Sequence, residues 1–255
     1  MRRNSLLRRR EERDGRLHSH DPFEEKRRWE CLTGCQGNDD GDGEGSHGRW
    51  HDVTVAYGFV LVGGRSSRMG RDKTLLSYRG KPMALHQAEK LVVVCGRVAL
   101  VGKNPAVFAG ATISFVLDGA PEPAAAFGVA AALAYSPEET NLILAADVPR
   151  CPEAFLAALL EVAEAIHAPA VVPVSGGRPQ PLCAVWRRSA LAPLRARLDA
   201  GDYSLVAALH AFHAVLIPEE MTAAMPGGAS ANFFNVNTPE EYEELESEDS
   251  QPPRR

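Results

Sequence analysis

From about Tyr57 the chain alternates short, β-branched apolar runs with stretches of helical period. Gly58 to Val62 reads as a strand ending in Gly63-Gly64, and Met83 to Val94 as an amphipathic helix entered at Pro82. Val98 to Val101 and Ile113 to Leu117 read as two more strands, followed by an alanine-rich helix near Gly128 to Ala134. A strand at Asn141 to Ala146, a helix at Pro152 to Ile166 and a strand at Ala170 to Val174 continue the alternation. Apolar strands separated by amphipathic helices predict a mostly parallel sheet covered on both faces, so the fold class is α/β and Rossmann-like. Beyond Arg178 the pattern loosens: a strand near Leu182 to Trp186, a helix through Leu198, a short helix, a strand at Ala214 to Ile217 and a last helix from Pro239.

Both ends of the chain depart from this pattern. Residues 1–52 hold arginine clusters such as Arg8-Arg9-Arg10, interspersed acids and a Gly/Asp-rich run from Gly37 to Gly48. Apolar residues are too sparse there to offset the entropy of ordering the backbone, so a disordered leader is expected before a domain spanning 53–246, with a disordered tail at 247–255. Cys31 and Cys35 with His18, His20 and His47 lack the spacing of a closed structural zinc site.

Composition removes several function classes. Lys+Arg total 28 against 33 Asp+Glu, a formal net charge of −5, which argues against a basic nucleic-acid binder. No run of eighteen apolar residues is free of charge, so no membrane span is expected and the protein is placed in the cytoplasm. Five scattered cysteines in 255 residues make no disulfide framework and are expected to be free thiols.

The chemistry concentrates at the ends of the predicted strands. The segment from Gly63 to Lys73, GGRSSRMGRDK, follows the first strand directly, at the edge where open α/β sheets bind ligands. Paired glycines let backbone amides approach an anion, and Ser66, Ser67, Arg68 and Lys73 add hydroxyl and cationic donors, so the segment suits a polyphosphate. It is neither the P-loop pattern nor the dinucleotide fingerprint. The apolar strand Leu142 to Ala146 ends in Asp147-Val148-Pro149. A carboxylate there could hold Mg²⁺ against phosphate oxygens, or could cap the helix that follows. Asp118, ending the strand Ile113 to Leu117, is either a further contact on the same edge or a turn residue. His210 and His213 are read as surface or packing residues on a helix.

Leu61-Val62-Gly63-Gly64, then Arg65 to Gly70, Asp72-Lys73, Asp147-Val148-Pro149 and Asn235-Val236-Asn237-Thr238-Pro239 together resemble the molybdenum cofactor guanylyltransferases, the MobA family. The likeness runs from about Tyr57 to Leu245. It implies transfer of GMP from GTP to the molybdenum–molybdopterin cofactor, with release of pyrophosphate and with Mg²⁺ as cofactor. It further implies nucleotide contacts at Leu61, Val62, Gly63, Gly64, Lys73, Asp118 and Asp147, with looser candidates at Lys103 and Asn104. Arg68, Lys73 and Asp147 would be catalytic, Asp147 would carry the metal, and Arg178, Asn235 and Asn237 would meet the pterin substrate. Acceptor molybdoenzymes or their chaperones are implied as partners. The family's Gly-Pro-Leu-X-Gly turn is replaced here by Ala124-Ala125-Ala126-Phe127-Gly128, which keeps only the final glycine. The double glycine favours guanine; a cytidylyltransferase, another small-phosphate nucleotidyltransferase, or a binding protein that has lost turnover are the alternatives.

Overall fold

A computed structural model describes residues 55–63, 75–119, 122 and 124–249. The expected leader, most of the expected tail, and Gly64, Arg68 and Lys73 lie outside these residues.

The centre of the sheet is β1 (Ala56–Leu61), whose six residues are all buried. It pairs in parallel with β4 (Arg97–Gly102) on one side and with β6 (Thr140–Ala145) on the other. Beyond β4 lies β5 (Ser114–Leu117), also parallel. The chain therefore builds outward from β1 to β5, then crosses back to start the other half at β6. That reversal puts a crevice at the carboxyl ends of β1 and β6, the position where sheets of this kind bind ligands.

In the second half of the sheet the chain direction reverses. β7 (Ala170–Ser175) turns tightly over Gly176-Gly177, both with positive φ, into β8 (Arg178–Pro179), which pairs back onto it. β9 (Cys183–Arg187) then runs antiparallel between β6 and β7, and β10 (Val215–Ile217) closes that edge parallel to β7. The main order is thus β10-β7-β9-β6-β1-β4-β5. A separate hairpin of β2 (Ser77–Tyr78) and β3 (Lys81–Pro82) turns over Arg79 and Gly80, at φ 52° and 77°. Positive φ at both central positions is the two-residue turn that matches strand twist, so Gly80-Lys81-Pro82 forms half of a hairpin as well as the entry to a helix.

Helices cover both faces. α1 (Met83–Cys95) packs against α3 (Glu153–Ala165), and α2 (Ala125–Tyr135) packs against α4 (Leu191–Asp199). Tyr57, Phe59 and Leu61 of β1 join the core under α2 and α4, with Trp186 fully buried in it. Gly58, on the alternate face, lies against Leu91 of α1. Each face thus takes every second residue of β1, as the pleat requires.

Three expectations are refined. α5 (Leu205–Ala211) carries His210, but His213 lies past its end at φ 53°, so the two do not share a helix; both are exposed. Two short helices, α6 (Glu219–Ala224) and α7 (Gly228–Asn232), precede the last helix. That helix, α8 (Pro239–Asp249), runs on to residue 249, whereas the tail was expected to begin at 247. Leu245 anchors the helix: it is fully buried in a cluster with Tyr78, Met83 and Val236. Tyr242 adds a hydroxyl bond to the Ser77 carbonyl at 2.8 Å.

Candidate active site

The carboxyl ends of β1, β4, β5 and β6 are tied together by backbone bonds. Val62 N–H donates to Val101 O at 2.8 Å, and Ala146 N–H donates to Leu61 O at 3.2 Å. Asp118 N–H donates to Gly102 O at 3.0 Å. Leu61, Val62, Gly63, Asp118 and Asp147 therefore stand on one edge of the sheet. Leu61 and Val62 are buried, Gly63 is exposed at φ 125°, and Asp118 and Asp147 are half-buried. Gly128, the one glycine kept from the family turn, lies where a Cβ would meet the Leu61 side chain at 3.2 Å. It lets α2 approach the end of β1 closely. Asn104 caps the short turn Pro105–Phe108 by accepting from Ala106 N–H at 3.3 Å, while Lys103 beside it is exposed.

The distant Asn-Val-Asn-Thr-Pro segment reaches the same edge. Val236 N–H donates to the Asp147 carbonyl at 2.9 Å, and the Val236 side chain is fully buried. Thr238 and Glu241 form a capping box: Glu241 Oε2 accepts from Asn237 and Thr238 N–H at 2.5 and 2.9 Å, and Glu241 N–H donates to Thr238 Oγ1 at 3.2 Å. Asn235 Nδ2 donates to Phe233 O at 3.1 Å. Asn235 and Asn237 thus flank a residue hydrogen-bonded to Asp147. Arg178 is exposed on β8, at the carboxyl end of β7, with β9 intervening between β7 and β6. Its hairpin is held from outside the sheet: Gly176 and Gly177 N–H donate to Glu219 Oε1 and Oε2 at 2.6 and 2.9 Å.

Sequence reasoning missed the groups beneath the Asp147 loop. Gln87 and Lys90 occupy the buried side of α1. Gln87 Nε2 donates to Val148 O, and Lys90 Nζ donates to Pro149 O and Cys151 O at 2.6 and 2.7 Å. The available signal was two polar residues at apolar-phase positions of α1.

A cavity of about 620 Å³ opens beside this loop, lined by Tyr78, Arg79, His86, Lys90, Arg150 and Glu153 among others. Burial, then the Lys90 and Arg79 charges, push His86 down to about 4 from 6.5. Burial likewise lowers Lys90 to about 8. For His86 the unfolded chain takes up its proton first, so the associated stability is fully present above pH 6.5 and is lost as pH falls through 6.5 toward 4. Between pH 7 and 4 the melting temperature of wild type should therefore fall more steeply than that of His86→Leu, because the variant lacks this loss. Parallel pH dependences would refute the assignment.

Cys95, Cys151 and Cys183 are free; burial pushes Cys95 up to about 12, and the Cys151 thiol together with burial holds Cys183 well above its ordinary value. Among the described residues no three His, Cys, Asp or Glu side chains are grouped to cage a metal. Asp147, half-buried at the end of β6, is a carboxylate of the kind that takes Mg²⁺ when oxygens of a phosphate substrate supply the remaining ligands.

The family model described as the MobA-like NTP transferase domain matches residues 58–214. The chain belongs to this family. It is a nucleotidyltransferase, as the family resemblance implied. A probable molybdenum cofactor guanylyltransferase from Chloroflexus aggregans is 35% identical over 190 residues, covering 72% of this chain and 90% of the relative. The molybdenum cofactor guanylyltransferase from Rhodopseudomonas palustris is 33% identical, covering 77% of this chain and 94% of the relative. The structure of molybdopterin-guanine dinucleotide biosynthesis protein A from Archaeoglobus fulgidus superposes with a TM-score of 0.67 at 24% identity, covering 76% of this chain and 98% of that one. The last similarity establishes the fold, with its sheet and flanking helices.

Proposed function

We propose that this nucleotidyltransferase transfers GMP from GTP to the molybdenum–molybdopterin cofactor. The terminal phosphate oxygen of the pterin attacks the α-phosphorus of GTP, the bond from that phosphorus to the β-phosphate bridging oxygen breaks, and pyrophosphate leaves. The observation that carries this reading is the hydrogen bond from Val236 N–H to the Asp147 carbonyl. It joins the Asp-Val-Pro and Asn-Val-Asn-Thr-Pro segments, far apart in sequence, at the crevice of the sheet.

The acceptor is already an anion, so no protein nucleophile is needed; the protein's work is to align two polyanions and offset charge building on the leaving group. Amides at Gly63 and Gly64 and the cations Arg68 and Lys73 would face the phosphates. Asp147 would hold Mg²⁺, which would supply Lewis-acid stabilisation of the phosphate charge. Asp118 would meet the nucleotide, while Arg178, Asn235 and Asn237 would face the pterin. Acceptor molybdoenzymes or their chaperones would receive the product, in the cytoplasm.

Pyrophosphate release by the purified chain, with Mg²⁺ and molybdenum-loaded molybdopterin, tests the reading when GTP and CTP are supplied in parallel. Release is expected with GTP and at least tenfold less with CTP. Equal or greater release with CTP would overturn the guanine assignment, and silence with both would overturn the acceptor.

A further inference from the structure

We infer that Lys90 is a positioning residue of this active site: its ammonium, with the Gln87 amide, clamps the loop that presents Asp147. The inference rests on the reading of Asp147 as the carboxylate that meets the substrate phosphates and their cation.

The geometry is specific to one loop. Lys90 Nζ donates to the carbonyls of Pro149 and Cys151, and Gln87 Nε2 donates to that of Val148. Three of the four carbonyls immediately after Asp147 are thereby held by two side chains one helical turn apart on α1. Asp147's own carbonyl is held from the opposite direction of the sequence, by Val236 N–H. The loop is thus pinned at four successive or near-successive peptide units, with the Asp147 carboxylate at its head.

Fold stability alone does not call for a lysine here. Gln87 is fully buried and Lys90 is 9% exposed, on a helix whose other buried positions are Met83, Ala84, Ala88 and Leu91. An ammonium taken out of water is a costly way to fill such a position, and an apolar side chain of similar length would fill it as well. What methionine cannot do is donate two charge-assisted hydrogen bonds to a turn. Those bonds fix where the loop sits relative to β6, and a displacement of about 1 Å in a group that aligns phosphates is enough to slow transfer strongly.

The test compares wild type, Lys90→Met, Lys90→Arg and Asp147→Asn by steady-state pyrophosphate release as a function of GTP and of Mg²⁺, with amide hydrogen exchange of the same full-length proteins. In Lys90→Met we expect kcat to fall about tenfold and half-saturating Mg²⁺ to rise about tenfold, while KM for GTP stays within about twofold. Exchange should quicken at residues 147–151 and not in the body of α1. Lys90→Arg, which keeps a cationic donor, should recover a substantial part of both kinetic losses. A merely structural role predicts a lower melting temperature with kcat and Mg²⁺ dependence unchanged at temperatures where the variant is folded, and that result would overturn the inference. Should Lys90→Met fail to fold, Gln87→Leu is read by the same criteria. Should Asp147→Asn keep the wild-type Mg²⁺ dependence, the reading of Asp147 fails on its own account. The clamp then stands if exchange at 147–151 quickens in Lys90→Met and falls if it does not.

Discussion

Asp147→Ala should lower kcat for pyrophosphate release by about 10²- to 10³-fold, roughly 2.7–4 kcal/mol of lost transition-state stabilisation. Four bonds that hold the loop in place use its main-chain carbonyls: the Asp147 carbonyl to Val236 N–H, and the Val148, Pro149 and Cys151 carbonyls to Gln87 and Lys90. Alanine keeps all of these. The carboxylate is half-buried at the end of β6, directly across from the end of β1, where Ala146 N–H donates to Leu61 O. Its loss removes the group expected to hold Mg²⁺ against the phosphates while leaving the crevice intact. The check is a rate measurement at saturating GTP and Mg²⁺ beside a thermal melt. A rate within about threefold of wild type, with wild-type stability, would remove Asp147 from the reaction.

The half of the fold built around β1 was legible in the sequence because parallel strands buried on both faces leave nearly continuous apolar runs. Gly58 to Val62, Val98 to Val101 and Asn141 to Ala146 each differ from the observed strand by a residue or two at an end. The second half was harder to read. β8 and the β2–β3 hairpin are two-residue strands, too short to show a period, and their turns reveal themselves only through positive φ at Arg79-Gly80 and Gly176-Gly177. The site shows the same division. Asp118 and Asp147 could be placed because a polar residue ending an apolar strand stands on a known edge of a known sheet. The joining of Asp147 to the Asn235–Asn237 segment could not be read locally, since the Val236 bond links residues 89 positions apart. Gln87, Lys90 and Glu219 act on backbone carbonyls and amides, and a residue that recognises backbone leaves no mark in the sequence of its partner. Lys90 was visible only as a conflict, a charge on the buried face of an amphipathic helix, and such conflicts are where function is to be sought.

Gly102→Ala should destabilise the domain by about 3 kcal/mol, lowering the melting temperature by roughly 6–12 °C, and should weaken GTP binding by about tenfold or more. A Cβ on Gly102 would lie 2.1 Å from the Val62 carbonyl oxygen and 2.9 Å from its Cγ2. The first of these is a backbone atom, so no side-chain rotation relieves the clash. Gly102 has no positive φ, which makes the requirement one of space alone. The ends of β1 and β4 would have to separate, and three features of the site move with them: Val62, whose N–H is bonded to Val101 O; Gly63, which follows it; and Asp118, whose N–H is bonded to Gly102 O. Stability and nucleotide affinity should therefore fall together. Gly96→Ala is the informative contrast. Gly96 has φ 74° with open space where a Cβ would be, and it lies at the opposite end of β4, past the last turn of α1. That substitution should cost about 1 kcal/mol of backbone strain and leave GTP affinity unchanged. Calorimetric titration of both variants with GTP, beside their melting curves, distinguishes the cases. Unaltered GTP affinity in a folded Gly102→Ala would show that the β1–β4 junction does not shape the nucleotide site.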